Sequence, residues 1–115
     1  MQTFHLDALS TDRQTLAEPY HEFLRAKDMS AGLYHLQPGS PDPQGPHQED
    51  ELYYVIRGAG AFEIDGNRIE VSAGSILHVP ARVPHRFVDV REALDVLVVF
   101  APAESAPTVA IPHSA

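Results

Sequence analysis

Apolar and polar residues alternate over short stretches through most of the chain, and turn-forming residues set where each stretch stops. Alternation with a period of two puts one side of a strand against a core, so these stretches predict strands. Tyr20 to Ala26 and Met29 to Gln37 form one pair, parted near Lys27-Asp28. Glu51 to Arg57 follows, turned by Gly58-Ala59-Gly60 ahead of Ala61 to Ile64. Asp65-Gly66-Asn67 then predicts a tight hairpin into Arg68 to Val71, because positive φ costs these residue types little. Ala73-Gly74 marks a further turn, Ile76 to Val79 a strand stopped by Pro80, His85 to Val90 another, and Leu94 to Phe100 the last. Short strands recurring at about ten-residue intervals favour a sandwich or barrel over a helical or alternating β/α fold. The expected fold class is all-β, a single-domain antiparallel β-barrel.

A chain of 115 residues has room for one hydrophobic core, so one site is to be sought. The expected organisation is an N-terminal segment, 1–18, with a short helix between Leu6 and Glu18; the barrel, 19–101; and an Ala-, Pro- and Ser-rich extended or disordered tail, 102–115, in which His113 is incidental. Prolines at 38, 41, 43 and 46 cannot all donate to a sheet, so this segment reads as a stiff loop that delivers His47.

Composition narrows the function. Hydrophobic residues make up 43% of the chain, enough to fold, and the formal net charge of -8 with no Lys/Arg cluster argues against a nucleic-acid partner. The absence of cysteine removes disulfides, thiolate metal sites and thiol nucleophiles, leaving His, Asp, Glu and Gln as donors. Met1 to Gln14 carries no signal pattern and Val96 to Phe100 is too short to span a bilayer, so no membrane partner and a cytoplasmic location are expected.

His47 and Glu51 stand four apart at the entry to a strand and share a face if the strand is regular, with Tyr53 and Val55 continuing that face. Taken alone, a histidine beside Glu49, Asp50 and Glu51 is ordinarily a solvated turn. Gly74, Pro80 and His85 follow at the spacing G-x5-P-x4-H: a turn glycine, a strand, a proline corner and a histidine that shares its face with Phe87 and Asp89. A histidine after Pro84 could equally mark a strand edge; the two elements together change the balance.

Together they resemble the cupin superfamily, whose barrel is of the jelly-roll type. Its first motif, G-x5-H-x-H-x3-E-x6-G, is met by Gly39, His47, Glu51 and Gly58, with Gly45 where the first histidine stands. Its second, G-x5-P-x-G-x2-H-x3-N, is met by Gly74, Pro80 and His85, with Arg82 and Asp89 replacing the second glycine and the asparagine. The resemblance implies one divalent transition-metal ion held by His47, Glu51 and His85. Gly45 has no side chain to give, which leaves either an open position for water or substrate, or a substitute donor: Gln44 first, for its neutral amide oxygen next to the vacancy, and Glu49 second, for its shared parity with His47 and Glu51. Two imidazoles and a carboxylate suit Fe, Mn, Ni, Zn, Co or Cu.

The remaining candidates are weaker. His35 and His78 could line the cavity as acid or base, but satisfied core or edge histidines are the expectation. Tyr53 faces the cavity and is the candidate catalytic residue, orienting substrate through its hydroxyl, whereas Phe62 and Phe87 are expected in the core. Arg82 either projects into solvent or reaches an anionic ligand. The stretch Glu51 to Arg57 is apolar on both faces, so its outer side needs a cover; the N-terminal strands or a second subunit could supply it, and a homodimer is expected. The leading functional reading is a metal-dependent enzyme acting on a small organic molecule, by dioxygen insertion or by non-redox lyase, isomerase or hydrolase chemistry. The competing readings are a non-catalytic small-ligand binding or sensing module, a barrel that has lost its metal, and a metal-free epimerase-like barrel, which needs a histidine–tyrosine acid–base pair.

Overall fold

Two long strands organise the molecule. The computed structural model describes residues 1–14, 19–42 and 45–105. In chain order the elements are α1 (Leu6–Gln14), β1 (Tyr20–Arg25), β2 (Ser30–Leu36), β3 (Asp50–Ile64), β4 (Asn67–Ser72), β5 (Ile76–Val79) and β6 (His85–Ala101). All strand pairings are antiparallel, in the order β1-β2-β6-β3-β4, with β5 also on β3. Among the described residues no ladder joins β1 to β4 or β5.

The β3–β6 ribbon bends back over itself. Its register shifts between Val55 and Arg57, again before Ala59 and again before Ala61, and such bulges let a strand turn a corner without losing its partner. Tyr53 and Phe62, which an extended strand would hold about 30 Å apart, have ring centroids 5.6 Å apart. Gly58 sits at the bend with φ 101°, and a Cβ there would stand 2.1 Å from the Ala93 carbonyl oxygen, so no side chain fits. Gly58-Ala59-Gly60 is therefore a bend inside one strand, not the turn between two that its composition suggests. Residues 91–93 likewise continue β6, because Glu92 pairs with Ala59 across the bend. The hairpin at Asp65-Gly66 forms as expected, with φ of 48° and 82°.

The fold of the ribbon encloses the core. Tyr34, Tyr53, Val55, Phe62, Phe87, Leu94, Val96, Val98 and Phe100 are all buried, and Phe62 and Phe87 meet edge to face at 4.8 Å, as expected for core residues. The described part of the proline loop is tied to this core by Asp42. Its carboxylate accepts hydrogen bonds from the Tyr34 hydroxyl and, at 2.8 Å, from the Phe87 N–H. On the outside, α1 lies against β1 and β2, while Leu52, Tyr54 and Ile76 are exposed. Among the described residues no helix is long and apolar enough to cross a membrane.

Candidate functional site

The loop entering β3 and the proline corner entering β6 are stitched together, which is how two distant segments present side chains to one point. The Arg82 N–H donates to the His47 carbonyl at 2.6 Å, and the Ala81 N–H to the Asp50 carboxylate at 2.8 Å. Arg82 adopts φ 66°, the left-handed conformation for which the motif's glycine is suited, and its side chain projects into solvent. Asp89 also has positive φ, 49°, which aspartate tolerates as asparagine does.

His47, Glu51 and His85 converge: one donor atom from each lies within 4.8 Å of the others. His85 Nε2 is 3.0 Å and His47 Nε2 3.6 Å from Glu51 Oε1. His85 Nδ1 faces the Val83 carbonyl at 2.8 Å, which assigns its proton to Nδ1 and leaves the Nε2 lone pair inward. The Tyr53 hydroxyl lies 3.1 Å from that same Nε2. Burial by itself would depress the His85 pKa, but the adjoining Glu51 carboxylate and Val83 carbonyl outweigh it and hold the imidazole above its ordinary value. Burial first, and the Glu51 charge second, push the Tyr53 hydroxyl well above the phenol range, so it is a neutral hydroxyl.

The polar atoms of this cluster are incomplete. His47 Nε2 and both Glu51 carboxylate oxygens are buried with no aligned hydrogen-bond partner, even though His85 approaches at ion-pair distance. A native interior rarely leaves a carboxylate so, because its desolvation cost goes uncompensated. A cation held between these donors would give His47 Nε2 and the Glu51 carboxylate a partner, so the residues present fit a nitrogen- and oxygen-ligated ion.

Gly45 lies at the surface. A cavity of about 270 Å³ runs between Gly45 and Pro46 on one side and Asp65 and Gly66 on the other, with His85 and Arg86 in its wall. A Cβ at Gly45 would meet nothing within 4 Å, so the missing histidine leaves open space. Gln44, the first substitute considered for that vacancy, lies outside the described residues. Glu49 faces elsewhere: its carboxylate accepts the Ser105 hydroxyl at 2.7 Å.

These observations agree with one comparison. The profile of the family described as Cupin domain matches residues 32–106. The chain belongs to the cupin family. An uncharacterized protein of Streptomyces coelicolor is 44% identical over 105 residues, covering 91% of this cupin and 100% of the relative. Among solved structures, a Thermus thermophilus protein superposes with a TM-score of 0.72 at 22% identity, over 90% of this chain and 99% of its own. An RmlC-like cupin with a double-stranded β-helix fold from Methanocaldococcus jannaschii gives 0.69 at 17% identity, over 89% of each chain. At such identities the likeness concerns the fold alone.

The other histidines of the sheet do not join the site. His35 faces outward, its Nδ1 2.7 Å from Asp95 and its Nε2 2.8 Å from the Gln37 amide. His78 is exposed, 3.5 Å from Asp50. A residue that sequence reasoning did not single out lies nearer the cluster than either. Glu104, in the segment read as the start of a tail, is buried with Oε2 3.5 Å from His47 Nδ1. A lone glutamate among Ala, Pro and Ser carries no periodic signal that would have marked it.

Proposed function

We propose that this cupin holds one divalent transition-metal ion through His47, His85 and Glu51 and acts as an enzyme on a small organic molecule bearing oxygen functions. The observation that carries this reading is the set of buried, unsatisfied donor atoms of His47 and Glu51 facing His85. Fe, Mn, Co, Ni, Cu and Zn all suit such donors. An ion bound there would supply Lewis acidity toward a carbonyl or enolate, a lowered pKa for water or, with a redox metal, a meeting point for substrate and dioxygen.

The chain's own residues do the rest. Gly45 admits the substrate, the Tyr53 hydroxyl orients it by hydrogen bonding, Phe62, Phe87 and Phe100 keep the interior dry, and Glu51 offsets charge. The bent sheet closes as a jelly-roll barrel around this interior. A homodimer covers the outer face, where Ile76 pairs with Tyr54 and Tyr54 with Leu97, while Leu52 pairs with Val99, giving an apolar area in need of a partner. Symmetric pairing is the commonest way to bury such a face.

Elemental analysis of the purified protein, followed by calorimetric titration of chelator-stripped protein with each first-row divalent ion, tests the reading. One ion per chain is expected for wild type, and His85→Ala should lose it, because a ligand absent from the unfolded chain couples binding to folding. Full metal occupancy in His85→Ala would overturn the ligand assignment.

A second reading has one observation in its favour. The His85–Tyr53 contact at 3.1 Å is the histidine–tyrosine pair that a metal-free, epimerase-like acid–base mechanism requires. Turnover that survives chelators and is lost in Tyr53→Phe would establish it. Ligand-induced stabilisation with no turnover would identify a binding or sensing module instead.

A further inference from the structure

Residues 102–105, which follow β6, stay against the molecule. The Glu104 N–H donates to Ser30 Oγ at 2.9 Å, the Arg25 guanidinium donates to the Glu104 carbonyl at 2.7 Å, and the Ser105 N–H and hydroxyl both donate to Glu49, at 3.3 and 2.7 Å. These anchors use the backbone of Glu104 and the side chains of its neighbours. The Glu104 side chain takes part in none of them.

That side chain instead turns inward. Glu104 is only 4% exposed, and its Oε2 lies 3.5 Å from His47 Nδ1. The other nitrogen of the same ring, Nε2, faces Glu51 at 3.6 Å. One imidazole therefore lies between two carboxylates, one inside the donor cluster and one outside it. A buried carboxylate needs a proton-bearing or cationic neighbour to offset its lost hydration. The His47 ring is such a neighbour. The Glu104 charge also reaches Tyr20, whose hydroxyl is pushed above the phenol range by burial first and by that charge second. At His85 the corresponding nitrogen faces a neutral carbonyl, that of Val83, so the two histidines are held by different means.

We infer that Glu104 is a positioning residue for the ion: its carboxylate accepts the Nδ1–H of His47, fixing the ring with the Nε2 lone pair turned toward the space shared with Glu51 and His85. An anionic acceptor behind an imidazole also makes the opposite nitrogen a stronger donor, and removing such a partner ordinarily costs about 10- to 100-fold in metal affinity. The inference rests on the metal-binding reading. It makes Glu104, in the described residues after β6, part of the site.

The test uses full-length, chelator-stripped protein titrated with Co²⁺. Glu104→Ala should bind 10- to 100-fold more weakly than wild type, on the order expected for such a partner. Glu104→Gln should fall between the two, since its amide oxygen still accepts the Nδ1–H without the charge. Ser105→Ala, which loosens an anchor without touching His47, should bind as wild type does. Because the backbone anchors survive in Glu104→Gln, its metal-free unfolding midpoint should stay near that of wild type. Independently of metal, nitrogen-15 NMR of the His47 ring should show the Nδ1–H tautomer in wild type and a mixture in Glu104→Ala. Wild-type affinity in both Glu104 variants would overturn the inference, as would an Nε2–H tautomer in metal-free wild type. Equal losses in Ser105→Ala and Glu104→Ala would also overturn it, by showing a structural role alone. Failure of wild type itself to bind any first-row ion would bring it down together with the metal reading, and is distinguishable because no variant is involved.

Discussion

Among the described residues, the two shortest histidine–carboxylate contacts lie one inside the fold and one outside it. His85 lies 3.0 Å from Glu51 and His35 lies 2.7 Å from Asp95. Their surroundings differ in every other respect. The outer side chains are 18% and 19% exposed, Arg57 meets the second Asp95 oxygen at 3.0 Å, and the Gln37 amide meets the second His35 nitrogen. The inner side chains are 1% and 0% exposed, and both Glu51 oxygens lack an aligned donor while a second imidazole, His47, faces them. Neighbours complete the outer pair, and water does the rest. The inner pair is buried and left without aligned partners. A short His–carboxylate distance thus says little about chemistry; what distinguishes the candidate site is three buried donor residues converging on one point with polar atoms that lack aligned hydrogen-bond partners.

The largest expected effect comes from removing the charge of each pair in turn. In wild type an ion at about 100 times its dissociation constant should stabilise the fold by about 2.7 kcal/mol. For a domain of this size that is a rise of roughly 10 °C in the unfolding midpoint. Glu51→Gln should abolish this rise. Asp95→Asn should keep all of it and lower the midpoint by no more than about 1 kcal/mol equivalent, the ordinary value of a partly exposed pair. Thermal unfolding of both variants with and without the ion decides the matter, and loss of the metal response in Asp95→Asn would break the contrast.

A smaller effect is the dependence on pH, where the inner histidine should show two opposite slopes. In metal-free protein His85 has a pKa raised above its unfolded value, so its charged form stabilises the fold at low pH, and that contribution disappears as pH rises through the folded pKa. Binding an ion requires the neutral imidazole, so metal-linked stability grows over the same window. The difference in midpoint between wild type and His85→Gln should therefore shrink from about pH 6 to pH 8 in chelator, a window set by the ordinary imidazole value. With ion present it should widen. His35→Gln should show no such reversal, since nothing couples its site to the ion; a reversal there would merge the two pairs.

How much of this was legible in the sequence depends on whether the signal is local. His47 with Glu51, and Gly74 with Pro80 and His85, were readable because spacing along a strand fixes the face on which a side chain emerges. The outward aim of His35 was not, since its strand is apolar on both sides and only the ladder to Asp95 shows which side is covered. The long, bent β3 was hidden for a similar reason. Gly58-Ala59-Gly60 has the composition of a turn, and whether it turns or bulges depends on partners in β6 that local pattern does not name. Glu104 was least legible, since its backbone contacts reach across 74 and 79 positions to Ser30 and Arg25. Residue type alone predicts exposure for a glutamate.

The smallest effect concerns the corner that serves the inner pair, and it tests whether Arg82 contributes to that pair through its side chain or only through its backbone. At φ 66° a residue with a Cβ is strained by roughly 1 kcal/mol, which glycine would relieve. Glycine in turn gives the unfolded chain more freedom, which offsets part of the gain. Arg82→Gly should therefore raise the unfolding midpoint by only about 2–4 °C, the shift expected for less than 1 kcal/mol. The N–H that reaches the His47 carbonyl at 2.6 Å survives the substitution, so the two histidines should keep their positions. Metal affinity should then stay within about twofold of wild type, a change worth less than 0.5 kcal/mol. A tenfold change would instead mean that the exposed guanidinium takes part in the site, and the division between a self-sufficient outer pair and an inner pair positioned by backbone would need to be redrawn to include it.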